Sequence, residues 1–297
     1  MDKIHVILII FAALALVYIL WCFLEPFFLD CDRAVLKKTS KDACPVDMLT
    51  VKKVPMVQDV SGKAPDFRFM FFSDTHAEWC PVTADRICDS IRKANGSAPL
   101  DAVIFGGDMS SYQKGLSKGY KYLNTIRDCC SDLGIPFYGV SGNHDIYDSN
   151  IPEKAGFTSL DNTHITLKSR TSGNEAVLAG LSDTGRKNRV WHKMPALEGS
   201  VPVILVVHDP DALLHFDPET RPEFMLSGHL HGGQMKFPFR IEFCLLRRHD
   251  RLPNMGAVQG VYNIGGSTVF ISRGLGCGVM PFRFLSVPEA TVTEIYL

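Results

Sequence analysis

The chain lacks an excess of charge of either sign. Its 297 residues carry 31 Lys and Arg against 32 Asp and Glu, a formal net charge of -1. That balance excludes a broad basic surface, and with it a general nucleic-acid binder. Charged residues are only 21% of a chain that is 46% apolar, which excludes disorder and leaves enough for a sizeable core. The 24 Gly and 17 Pro are too few for a fibrous protein. No C-x-x-C pair occurs among the nine cysteines, so a zinc ribbon is excluded. Their odd number fits reduced thiols better than a disulfide framework; a Cys31–Cys44 pair is open only if that stretch lies outside the cytosol. Internal repeats and low-complexity tracts are absent.

Long apolar runs are also scarce, with one exception. Ile4 to Leu24 contains no Lys, Arg, Asp or Glu. It is long enough to cross a hydrocarbon core as a helix of about 20 residues. Trp21, Phe23, Phe27 and Phe28 crowd its end, where aromatic rings suit a membrane interface. No small-x-small cleavage site and no twin Arg accompany it, so a retained anchor is expected rather than a cleaved signal. Lys3 precedes the run, whereas Arg33, Lys37, Lys38 and Lys41 follow it. The positive-inside rule then places the body in the cytoplasm. The expected organisation is an anchor over 1–29, a polar connector over 30–65 and one catalytic domain over 66–297.

Within that domain, short apolar runs end abruptly in Gly or metal-binding residue types. Phe67–Phe72 leads into Ser73-Asp74, and Ala102–Phe105 into Gly106-Gly107-Asp108. Ile135–Val140 leads into Ser141-Gly142-Asn143-His144-Asp145, and Val201–Val207 into His208-Asp209-Pro210. Phe224–Leu226 leads into Ser227-Gly228-His229-Leu230-His231-Gly232-Gly233. Such runs predict buried strands. Helical patterns lie between the early ones: Thr83 caps a helix to Ala94, and Lys118–Leu133 stops at Gly134. Further strand patterns follow at Val177–Leu178, Thr268–Ser272 and Thr291–Leu297. The sum is an α/β protein, a layered α/β sandwich with an N-terminal transmembrane helix.

Functional residues of open α/β sheets gather beyond the carboxyl ends of the strands. Here those ends offer Asp74, His76, Asp108, Asn143, His144, His208, His229 and His231. Carboxylates, a carboxamide and imidazoles without thiolate suit Mn, Fe, Zn or Co rather than Ca or Mg alone. In extended chain, Asp74 and His76 face the same way and can bind one ion together, and His229 and His231 can likewise face one site. Asp108 has two oxygens and can bridge two cations about 3.5–4 Å apart.

The ordered set Asp74-x-His76, Gly106-Gly107-Asp108, Gly142-Asn143-His144-Asp145, His208 and Gly228-His229-Leu230-His231 resembles the calcineurin-like metallophosphoesterase superfamily. The stretches Gly228–Gln234, His208–Asp211 and Ser272–Gly276 resemble its membrane-associated phosphodiesterase branch, although Asp209 stands where that branch often has Asn. The resemblance implies two divalent metal ions, Mn or alternatively Fe, Zn or Co. Asp74, His76 and His231 would hold one, Asn143, His208 and His229 the other, with Asp108 between. It further implies in-line hydrolysis of a phosphodiester or pyrophosphate, His144 donating to a phosphate oxygen or leaving group and Asp145 orienting the His144 ring. An anchored enzyme of this kind suits a lipid-linked substrate, and hydrolysis of UDP-2,3-diacylglucosamine in lipid A synthesis is one such activity. The competing expectations are a soluble phosphoester substrate and an inactive metal-binding surface protein.

The remaining imidazoles, His5, His164, His192, His215 and His249, read as ordinary packed or surface residues. Asp209 and Asp211 read as turn or cap residues, and Cys277 as a small buried apolar group. Phe237–Arg251 is expected as a strand and loop packed in the core. Its alternative is an apolar and basic lip in which Arg247 and Arg248 meet phosphates or anionic headgroups.

Overall fold

The computed structural model describes residues 3–41, 49–60, 62–183 and 201–297. Helix α1 (Lys3–Leu24) opens the chain. With the turn Glu25–Phe27 it forms an apolar span of 25 residues, mean hydropathy 2.9, almost wholly exposed. The helix is apolar on every side and about 33 Å long at 1.5 Å per residue, enough to cross a membrane.

Two short strands follow, β1 (Arg33–Lys37) and β2 (Val51–Val54). The central body then runs β3 (Phe67–Phe72), α2 (Ala84–Ser97), β4 (Ala102–Phe105), α3 (Leu116–Asp132), β5 (Phe137–Gly139), α4 (Ile151–Ala155) and β6 (Thr158–Ser159). After it come β7 (Thr163–Lys168), β8 (Glu175–Leu181), β9 (Val203–Val207), β10 (Phe224–Ser227) and α5 (Ile241–Leu246). A short helix α6 (Arg251–Asn254) precedes β11 (Gly260–Ile264), β12 (Ser267–Ile271) and β13 (Thr291–Tyr296). One sheet has the order β1-β13-β3-β4-β5-β6, the other β2-β11-β12-β10-β9-β8-β7.

The two sheets face one another. Phe67, Phe69 and Phe71 point into the gap, where they meet Ile204, Val206, Phe224 and Phe270 from the second sheet. Met70 and Phe72, the alternate residues of β3, pack instead under α2 and α3. Strands buried on both faces carry continuous apolar sequence, which is why β3, β4, β9 and β10 are so visible as runs. Each fully buried Phe contributes about 2–3 kcal/mol relative to exposure. Arg68 interrupts β3 but is satisfied, since its Nε meets Glu294 Oε1 at 3.2 Å and its Nη1 donates to the Ala94 carbonyl. Thr83 caps α2 by accepting from Arg86 N, and Ile87, Ile91 and Ala94 form its buried face.

Two stretches differ from expectation. The polar connector contributes an edge strand to each sheet: β1 pairs with β13 and β2 with β11. Ala34, Val35 and Leu36 are buried there, between charged residues that hid the pattern. Phe237–Arg251 is not a core strand. It forms a short turn and α5, because Phe239 and Arg240 adopt positive φ and break any extended path. Phe243 is buried, whereas Phe239 is 92% and Leu245 72% exposed. Seven cysteines are free, including Cys31; Cys44 and His192 lie outside the described residues. His5, His164, His215 and His249 are exposed.

Candidate metal centre

The loops after β3, β4 and β5 in one sheet and after β9 and β10 in the other converge on one point. Two buried groups result: Asp74, His76 and His231, and Asp108, His208 and His229. Within each, ligand atoms lie within 4.8 Å of one another. The groups touch through Asp108 Oδ2, which is 3.6 Å from His76 Nε2 and 3.1 Å from His208 Nε2. His231 Nε2 is 3.1 Å from His76 Nε2 and 3.4 Å from Asp74 Oδ1. Asn143 Oδ1 is buried without a hydrogen-bond partner, which fits a cation ligand.

The backbone reaches this arrangement by an unexpected path. Asp74, His76, Asp108, His229 and His231 all have positive φ, between 35° and 71°. The side chains therefore converge through left-handed kinks, and the expected alternation of an extended chain does not apply. Each such residue costs about 1–3 kcal/mol and persists only where its surroundings impose it. Here backbone bonds impose it: Asp74 N donates to Gly107 O at 2.8 Å, and His76 N to Asp108 O at 3.1 Å. Close approach does the rest. A Cβ at Gly276 would lie 2.0 Å from Thr75 O, and one at Gly107 2.6 Å from Gly142 N. The Ser272–Gly276 stretch is thus the wall behind Asp74 and Thr75, fixed by Gly276 N donating to Asp74 O at 2.8 Å.

Asp145 is placed differently from expectation. Its carboxylate accepts from Asp108 N (2.8 Å), Gly142 N (2.9 Å) and Met109 N (2.9 Å), and does not meet the His144 ring. Two backbone donors at the Asp108 kink and a third at Gly142 need an acceptor, and Asp145 supplies it. Burial and the nearby Asp108 carboxylate push Asp145 up to about 7. His144 Nδ1 lies 3.3 Å from Ser111 O, and its own N–H holds Asp108 Oδ1 at 2.8 Å. Its ring stands edge-on to His76, centroids 5.3 Å apart.

Ring orientation is set by second partners. His208 Nδ1 donates to Gly106 O at 2.7 Å, which leaves Nε2 as the lone pair of the neutral ring. Ser111 Oγ lies 2.8 Å from His76 Nδ1. Glu78 fixes that serine's loop by accepting from Ser110 Oγ, Ser111 N and Tyr112 N. Nothing in the residue types of Glu78 or Ser111 marked them in the sequence. Burial pushes the His76 pKa down against Asp108 and Asp74, and pushes His231 well down, so both favour the neutral, ligating form. Burial opposes charge on His208 too, but Asp108 and Asp74 outweigh it and raise its pKa well above the ordinary value. The centre as a whole attracts positive charge, and its N and O donors fit divalent cations.

Asp209 caps the next turn by accepting from Asp211 N at 2.9 Å, and Asp211 accepts from Arg251 N and Leu252 N. Arg247 is turned inward. Its Nη1 donates to His229 O at 2.8 Å and its Nη2 lies 2.6 Å from His229 Nε2, so it is no headgroup contact on an outer lip. Arg248 remains exposed.

The family model for the calcineurin-like phosphoesterases matches residues 67–233, a span that holds every one of these ligands. The chain belongs to the calcineurin-like phosphoesterase family. It is 31% identical over 238 residues to the uncharacterized metallophosphoesterase YkuE of Bacillus subtilis, covering 76% of this chain and 78% of that protein. It is 26% identical to the uncharacterized metallophosphoesterase YkoQ of the same organism, over 76% of this chain and 82% of that one. It is 25% identical to phosphodiesterase YaeI of Escherichia coli, over 78% of this chain and 83% of that protein. As a calcineurin-like phosphoesterase, the chain is a metal-dependent phosphoester hydrolase.

Proposed function

We propose that this phosphoesterase is held in a membrane by α1 and hydrolyses a phosphodiester or pyrophosphate bond in a lipid-linked substrate, with its body in the cytoplasm. One observation carries the reading: a single loop, residues 277–285, joins the apolar helix to the metal centre. Phe282 and Phe284 pack on Phe23 and Tyr18, at 5.5 and 4.7 Å between ring centroids. At its other end Gly278 O accepts from Ser111 Oγ, and a Cβ at Gly278 would lie 3.6 Å from His231 Nε2. A bond cleaved here is therefore presented close to where the anchor leaves the bilayer. Val279 and Leu285 of the same loop, and Phe239 and Leu245 nearby in sequence to His231, are exposed apolar groups that suit acyl chains. Hydrolysis of UDP-2,3-diacylglucosamine is one candidate of this class.

In this reading Asp74, His76 and His231 would hold one ion and Asn143, His208 and His229 the other, with Asp108 facing both ligand groups. When bound, the two divalent ions supply Lewis acidity and lower the pKa of a water near neutrality. Asp108 keeps the two ligand groups at a fixed spacing through its contacts to both. His144 faces the same point and donates a proton to the departing oxygen. Asp145 holds the kinked backbone of Asp108 so that neither carboxylate nor His144 drifts.

The test is turnover of phospholipids, nucleotide-linked lipids and soluble diesters by the full chain in micelles, with Mn and Zn separately. Lipid-linked substrates are expected to be preferred. Equal turnover of soluble diesters would remove the lipid from the proposal. A folded, metal-loaded protein that cleaves none of them would remove the enzyme.

A further inference from the structure

Glu25 is an acidic residue at the end of an otherwise apolar helix, yet it is 1% exposed. A buried carboxylate is costly unless donors surround it. Its donors are specific. Oε2 accepts from Trp21 Nε1 at 2.7 Å and from Leu285 N at 2.9 Å, and Oε1 accepts from Ser286 N. The carbonyl of Cys22, one turn earlier, accepts from Arg283 N at 3.0 Å. The end of α1 therefore grips residues 283–286 at three backbone N–H groups.

That same segment holds His231. Ser286 Oγ donates to His231 O at 2.6 Å, and its hydroxyl fills the space where a Cβ at Gly232 would stand. The fully buried Arg283 donates to the carbonyls of Arg273, Gly276 and Ser286, and its Nη2 lies 3.4 Å from His231 Nδ1. His231 has a φ of 50°, a conformation that relaxes unless its carbonyl is held. The path from the anchor to a ligand imidazole is thus Glu25, Ser286, His231.

We infer that Glu25 is a positioning residue for the metal centre: through the Ser286 turn it fixes His231, and so makes the ion held by Asp74, His76 and His231 depend on the end of the anchor helix. The inference rests on the two-metal reading but not on any substrate. The second group is held from elsewhere: His208 by Gly106 O in the core, and His229 by the Arg247 guanidinium.

The experiment titrates the full chain in micelles with Mn(II), counting free ion by electron paramagnetic resonance. Glu25→Ala is expected to weaken one of two ions about ten- to hundredfold and to leave the other unchanged. Ser286→Ala, which leaves the anchor intact, is expected to weaken the same ion. Adding Glu25→Ala to His76→Ala is expected to cost nothing further, since the two act on one site. Glu25→Gln keeps one acceptor oxygen and is expected to recover part of the loss. Unchanged binding of both ions in Glu25→Ala and Ser286→Ala, or equal weakening of both, overturns the inference. A wild-type chain that binds fewer than two ions overturns the metal reading itself.

Discussion

The two ligand groups look alike in composition but differ in which parts of the molecule hold them. His208 and Asp108 stand on strand ends whose partners are core backbone, Gly106 O for one and the His144 amide for the other. Side chains outside the strands hold the other histidines: Ser111 meets His76, Ser286 holds the His231 carbonyl, and in the other group Arg247 meets His229. The electrostatics differ in the same sense. Burial drives His76 and His231 toward the neutral form, while the carboxylates around His208 outweigh burial and favour a positive charge there. His208 and Asp108 are built into the sandwich. His231 is held from the segment that meets the anchor.

Substitutions can break or sharpen that contrast. The largest effect is expected from Asp108→Ala, because its Oδ2 faces both groups. Both ions should be lost or displaced together, and turnover should fall by about a thousandfold or more, the equivalent of several kcal/mol of charge stabilisation. Retention of one tight ion in that variant, measured by elemental analysis, would show that the groups are independent. His144→Ala should lower turnover by about a hundredfold, within the usual range for a general acid, while both ions stay bound. Loss of metal in His144→Ala would instead make it part of the scaffold. The smallest effect is expected from Ser111→Ala, which frees one imidazole nitrogen. About tenfold weaker binding of the ion at His76, with the His208 ion unchanged, supports the division. Equal weakening of both ions would erase it.

Much of this was legible in sequence, for a physical reason. β3, β4, β9 and β10 are buried on both faces and so read as apolar runs, broken in β3 only by Arg68, and the ligands follow shortly beyond them. The conformation of those ligands was not legible. Positive φ at Asp74 or His229 is imposed by tertiary hydrogen bonds and by neighbouring glycines such as Gly276, not by the residue itself. Asp145 follows in part from the same cause: two of its partners are amides at the Asp108 kink, and the third is Gly142 N. α5 was hidden by its period-two apolar pattern, Phe237, Phe239, Ile241, Phe243 and Leu245, which imitates a strand although only Phe243 among them is buried. β1 was hidden by its charged ends, since an edge strand of five residues needs few apolar positions.

β1 carries a further consequence, for the order of events during synthesis. It pairs in parallel with β13, and β13 in turn lies between β1 and β3. In the sheet, the strand next to the apolar helix thus pairs with residues translated about 260 positions later (Arg33 with Val292). As the chain emerges, α1 leaves the ribosome before the body, while one flank of β3 has no strand partner until β13 arrives. Translation delivers a tethered but open sheet, and closure waits for the far end of the chain.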